Sequence, residues 1–139
     1  MINKADRVGG AAQIAGSLKS GLQQRGHEVN FFVCDRKSVG QNVFAIPRSQ
    51  SRFYWSHLLG TDIDFFQSDY ILSTKEFRAA DIVHFHNLHG HYFNLQTFQK
   101  ICQSKPVLWT LHDLWAITAY CSQAPGRELI NGFYDCPIS

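Results

Sequence analysis

Between Gly9 and Cys34 the chain spells out one supersecondary unit, and that unit constrains the fold more than any other feature. Gly9-Gly10 opens a predicted helix over Ala11–Gln24, where Ile14, Ala15, Leu18 and Leu22 recur at helical spacing along one face. Lys19, Gln23, Gln24 and Arg25 lie on the other faces, and a basic Arg25 suits the negative end of the helix dipole. Gly26 is placed to end the helix as a left-handed cap. Val29-Asn-Phe-Phe-Val-Cys34 then reads as a strand rich in β-formers. Glycine loop, helix, glycine cap and strand make half of a βαβ unit.

The rest of the chain repeats the alternation. Val43–Ile46 reads as a short strand before Pro47, and the apolar clusters between Phe53 and Leu72 read as short helices. Asp81–His86 reads as a strand, and Leu88–Cys102 as a loop turning into a helix. Pro106-Val-Leu-Trp-Thr-Leu111 reads as a buried strand. Strands alternating with helices predict an α/β domain, a Rossmann-like and mostly parallel sheet with helices on both faces. With 139 residues, 45% of them hydrophobic and 17% charged, the chain is one domain, or a large part of one, able to bury a core.

Composition also excludes partners. Thirteen basic against 11 acidic residues give a net charge of +2, too balanced for a nucleic-acid or anionic-membrane surface. No apolar run approaches the roughly 18–20 residues that span a bilayer. Met1-Ile-Asn-Lys-Ala-Asp-Arg7 has no hydrophobic signal core, and the four cysteines form no CxxC pair. A cytoplasmic protein is the expectation, with Cys34 and Cys102 as buried thiols.

Chemistry-bearing residues gather at the ends of the predicted strands. His112 and Asp113 follow the Pro106–Leu111 strand, between Trp109 and Trp115. Polar groups at the carboxyl edge of a parallel sheet open into the crevice where such sheets bind ligands. His84, His86, His89, His91 and His112 are five of the seven histidines. As metal ligands they lack an acidic or cysteine partner at matching spacing. As ligand-binding groups, His86 and His112 end two strands on one edge and can hydrogen-bond or transfer protons near neutral pH.

Asp113 has three readings: it orients His112, binds a substrate hydroxyl, or caps a helix beginning at Leu114. Tyr92 and Tyr120 lie in predicted loops beside the same edge and could stack on a sugar. The Gly9-Gly10 turn could bring backbone N–H groups to a phosphate at a helix N-terminus, or be a tight turn with no ligand. Asp35 sits where a ribose-binding acid belongs, yet Gly9-Gly-Ala-Ala-Gln-Ile-Ala-Gly16 does not match GxGxxG, which speaks against a dinucleotide site. No nucleophile elbow, Walker loop or metalloprotease motif is present.

Four ordered segments together resemble the N-terminal domain of retaining GT-B glycosyltransferases of the group-1 (family 4) type, with a colanic-acid or exopolysaccharide flavour. They are Asp6-Arg-Val-Gly-Gly-Ala-Ala12; Leu18 through Gly26-His-Glu-Val29; Asp81-Ile-Val-His-Phe-His-Asn-Leu-His-Gly90 with Tyr92 and Asn94; and Lys105-Pro-Val-Leu-Trp-Thr-Leu-His-Asp-Leu-Trp-Ala116. The resemblance spans about 110 residues, and Arg36–Ala80 adds almost nothing to it.

It implies two Rossmann-like domains facing across a cleft, the N-terminal one holding a glycan acceptor and the C-terminal one most of a nucleotide-sugar donor. By position, Gly9 and Gly10 would approach the donor diphosphate, and His112 would contact the transferred sugar as the catalytic histidine. His86, Asn87, His89, Tyr92 and Asp113 would shape the acceptor pocket. No cofactor or metal beyond the nucleotide sugar is implied, there is no DxD-like motif, and the parent enzyme could touch a membrane peripherally.

The chain departs from the family pattern in three ways. Only Met1-Ile2 remains of the usual apolar first strand, so the sheet is expected to be poorly supported and the true start to lie upstream. Of the usual cysteine cluster only Cys121 and Cys136-Pro137 match. The chain ends at Ser139, before any donor-binding domain, so the expectation is a fragment inactive alone. The alternative reading is a standalone carbohydrate- or nucleotide-binding module.

Overall fold

The computed structural model describes residues 1–58 and 66–117. Five strands, all parallel, form one sheet in the order β3-β2-β1-β4-β5. They are β1 (Ile2–Ala5), β2 (Phe31–Asp35), β3 (Val43–Ala45), β4 (Val83–Phe85) and β5 (Val107–Trp109). The helices are α1 (Gly10–Gln24), α2 (Gln50–Leu58), α3 (Tyr70–Ser73), α4 (Lys75–Ala79) and α5 (Leu95–Ser104), with a 3₁₀ turn at Gln67–Asp69. The expected Rossmann-like α/β architecture is what the chain adopts. Strand order reverses between β1 and β4, and ligands of open α/β sheets bind at such a switch point.

Alternating side chains divide the sheet into two faces. On one, Ile2, Phe32, Val83 and Phe85 pack with Ile71 of α3, Phe77 of α4 and Ile101 of α5. On the other, Phe31, Val33 and Val43 pack with Ala15 of α1. The small Ala12 and Ala15 let α1 lie close to the sheet. The helix ends as its glycine predicted: Gly26 has φ +86°, His27 N–H reaches Leu22 O (3.1 Å) and Gly26 N–H reaches Gln23 O (3.0 Å). This pair of bonds is a Schellman motif.

Three expectations are corrected. The first strand is present: β1 is the central strand, paired to β2 at Ile2, Asn3 and Ala5 and to β4 at Ile2. Asn3 and Lys4 interrupt its apolar pattern, and their side chains are satisfied by hydrogen bonds to backbone groups. Asn3 Nδ2 donates to Ala5 O (2.8 Å), Asn3 Oδ1 accepts from Asn87 N–H (3.2 Å), and Lys4 Nζ donates to Gly90 O (2.8 Å).

The strand expected to be buried, β5, is an edge strand among the described residues, with Leu108 56% exposed. Its inward face alone packs, through Val107 and Trp109. Cys34 is half-buried, whereas Cys102 is exposed on the outer side of α5 rather than a core thiol. Cys121, Cys136 and Tyr120 lie outside the described residues.

Candidate functional site

A cleft of about 650 Å³ opens at the carboxyl edge of the sheet, where Ala5 and Asp35 end β1 and β2. Gly9 and Gly10 form one rim and Asn87, just past β4, lies opposite. Gly9 has φ +90°, a conformation that a side chain would strain, and it precedes α1 without any side-chain cap. The first N–H groups of an α-helix lack intrahelical partners and carry the positive end of its dipole. Lys4, Arg36 and Lys37 line the same cleft and add positive charge. Asp35 is the acidic exception, and Arg48 approaches its carboxylate at 3.7 Å.

Asp6 fixes the wall beyond β2. Its carboxylate accepts Lys37 N–H (2.8 Å), Ser38 N–H (2.7 Å) and the Ser38 hydroxyl. Burial works to raise the Asp6 pKa, but these hydrogen bonds outweigh it and the group lies below the usual carboxylate range. The turn before α1 is thereby tied to the loop after β2.

The histidines form a second group at the adjoining strand ends. His84 and His86 alternate on one face of β4 and its extension, their rings 4.4 Å apart and 25° from parallel. His84 Nε2 contacts Thr110 Oγ1 (2.8 Å), and His86 Nδ1 contacts His112 Nε2 (2.8 Å). Thr110 N–H donates to Phe85 O (2.9 Å) and the Trp109 indole N–H to His86 O (2.8 Å), locking the two strand ends together. His86 is 1% exposed, whereas His112 is half-exposed.

Burial, reinforced by His84 and His112, pushes the His86 pKa down to about 4; burial also lowers that of His84, with the terminal amine and His112 adding to it. A histidine whose folded pKa is lowered leaves the unfolded chain binding more protons between the folded and ordinary values. Stability is then lost as pH falls from about 6.5 toward 4. Thermal melts should show Tm falling across this window, and the slope should be shallower in His86→Asn. A flat or rising wild-type Tm there would contradict the buried neutral imidazole.

The expected acceptor residues separate into two sets. Asn87 and His89 are partly exposed beside the strand ends. Tyr92 is 2% exposed and packs within the core, its hydroxyl donating to Asn87 O (2.5 Å). An exposed ring stacking on a sugar is therefore not what Tyr92 provides; it anchors the Asn87 loop from below. Burial also raises its phenol pKa well above the usual value.

Asp113 takes His89 Nε2 (2.8 Å) on one oxygen and Trp115 N–H (3.0 Å) on the other. The partner of His112 is His86, not Asp113, and Asp113 caps the turn that begins at Leu114 through the Trp115 N–H. Among the described residues no set of three His, Cys, Asp or Glu side chains is arranged to hold a metal ion, and no helix is long and apolar enough to cross a membrane. Asn3, Lys4 and Asp6 were not anticipated as site residues. The signal for the first two was a polar pair inside a short strand immediately before a glycine loop.

A family model described as Glycosyltransferase Family 4 matches residues 8–134, which include both the Gly9-Gly10 rim and the histidine group. The chain belongs to this family. It is similar to "Putative colanic acid biosynthesis glycosyl transferase WcaC" of Escherichia coli (strain K12), 36% identical over 64 residues. That alignment covers 40% of this chain and 16% of the relative. No solved structure matches the chain at a significant level. For this family-4 domain, the matched span places the glycine turn, β4 and β5 within the shared fold.

Proposed function

We propose that the protein to which this domain belongs transfers a sugar from a nucleotide-sugar donor to a glycan acceptor with retention of configuration. The observation carrying the reading is the placement of a bare glycine turn, cationic side chains and a half-exposed histidine along one carboxyl edge at the sheet's switch point. In this reading Gly9 and Gly10 let the amides of the first turn of α1 approach the donor diphosphate. Lys4 and Arg36 stand beside them, so charge developing on the leaving group meets fixed dipoles and cations.

His112 hydrogen-bonds the transferred sugar, and Asn87 and His89 border the acceptor. A second domain holds the nucleotide, so this domain alone turns over no donor, and no cofactor beyond the donor is needed. The named relative's part in colanic acid biosynthesis supports a cell-surface or exopolysaccharide acceptor. A cytoplasmic location, where nucleotide sugars are available, fits the same reading.

Gly10→Asp tests the diphosphate assignment. A Cβ at Gly10 meets nothing within 4 Å, and a carboxylate at a helix N-terminus is favourable by about 0.3–1 kcal/mol, so the fold should be kept or slightly stabilised. The same carboxylate repels a diphosphate, and KM for the donor in the complete enzyme should rise roughly tenfold or more. A stable variant with unchanged KM would remove the glycine turn from the donor site.

A further inference from the structure

His84, His86, Thr110 and His112 form two rungs of one ladder. Both contacts join residues 26 apart, two residues beyond the register in which His84 faces Leu108, so each histidine reaches diagonally across the two strand ends. In the upper rung His86 Nδ1 lies 2.8 Å from His112 Nε2, with the rings 22° from parallel. One of these nitrogens donates and the other accepts.

The remaining nitrogen of His86 decides which. His86 Nε2 is buried and has no hydrogen-bond partner, and the side chain is 1% exposed. If His112 donated, neutral His86 would carry its proton on Nε2, leaving a buried N–H with no acceptor. If His86 donates from Nδ1, Nε2 is only a bare lone pair packed in the interior. Orphaned buried N–H groups are the rarer arrangement in proteins.

From this geometry we infer that His86 is a positioning residue that donates from Nδ1 to His112 Nε2 and so confines the proton of neutral His112 to Nδ1. The Trp109 indole bond to His86 O and the His86 N–H bond to Ile2 O (2.9 Å) hold the donor in place. Among the described residues nothing occupies His112 Nδ1, and the residue is half-buried, not sealed in the core as His86 is. His112 therefore presents a hydrogen-bond donor to whatever enters. Its Nε2 lone pair is already committed, so it does not serve as a general base through that nitrogen.

The consequence for catalysis rests on the role proposed above for His112: it reads a sugar oxygen as a donor and takes no proton from the acceptor. The tautomer itself stands independently of that role. Long-range ¹H–¹⁵N correlation spectra of the histidine-labelled chain at neutral pH test it directly, with His86→Asn and His112→Asn used for assignment. Both His86 and His112 should show a protonated Nδ1 and a bare Nε2. A protonated Nε2 on His112 would overturn the inference whatever the activity data show.

In the complete enzyme, His86→Leu should lower kcat by roughly tenfold with donor KM within about twofold. His86→Asn, whose amide nitrogen lies near the former Nδ1, should recover most of the loss. Equal loss in both variants would mean that the side chain only fills space, and would also sink the proposal. If His86→Leu fails to fold, the wild-type spectrum and His86→Asn still decide. A confirmed tautomer with an indifferent His112→Ala would instead remove the catalytic reading and leave the positioning claim intact.

Discussion

His112→Ala is expected to lower kcat/KM for sugar transfer by roughly 100-fold, the scale of losing one hydrogen-bond donor aimed at the reacting group. The effect should fall mainly on kcat, because a contact that strengthens as charge develops contributes little to ground-state binding. Stability should change far less. His112 is half-exposed, and its loss leaves one buried donor, His86 Nδ1, with a route to water through the vacated space. A cost of about 1 kcal/mol, a few degrees in Tm, is the expected limit.

The polar replacements sharpen the result. His112→Asn places an amide near the Nδ1 position and should retain more activity than His112→Gln. Unchanged kcat/KM in His112→Ala, with the variant folded, would remove His112 from the reaction.

The largest stability effect is expected at Asn3. The side chain is 2% exposed, and both of its polar ends are used, on Ala5 O and Asn87 N–H. Asn3→Leu keeps the branched shape of the side chain but strands a backbone carbonyl and a backbone N–H at the centre of the sheet. Each unsatisfied group costs about 1–3 kcal/mol, so a total of roughly 3 kcal/mol and a Tm lower by about 10 °C is expected. Asn3→Asp should do no better, since it keeps the acceptor but buries a charge and loses the donor. Urea melts check the figure: the midpoint should fall with an unchanged m-value. A loss below about 1 kcal/mol would mean that water replaces the amide.

Asn3 also shows where sequence reasoning ran out. α1, β2, β4 and β5 were legible because glycines or proline punctuate them and apolar runs fill them, although each expected strand ran beyond its paired residues. Paired hydrogen bonding ends before hydrophobicity does, as at Ile82, apolar yet exposed before β4. β1 was illegible because its two apolar residues, Ile2 and Ala5, fall on opposite faces and mark no alternation, while Asn3 and Lys4 between them look like loop. Their long-range partners, Asn87 and Gly90, lie more than 80 residues away.

The site was legible as a set of residues but not as a set of pairs. That His86 meets His112 while His89 meets Asp113 depends on β4 lying beside β5 in one register. Local sequence does not carry that register. Tyr92 misled for a related reason. It sits in a loop, where exposure is the ordinary expectation, but this loop turns inward to fill the space above Phe93.

The bond from Lys4 to Gly90 has a practical consequence for engineering. The His89–Tyr92 loop rests on a side chain from the first strand, with Lys4 lying against Gly90 closely enough that a Cβ there would collide with it. A loop transplanted from a relative to alter acceptor choice would arrive without its footing unless residue 4 travelled with it. Chimeras in this fold should therefore be cut as paired segments, one from the start of the chain and one from beyond β4, rather than as a single contiguous graft.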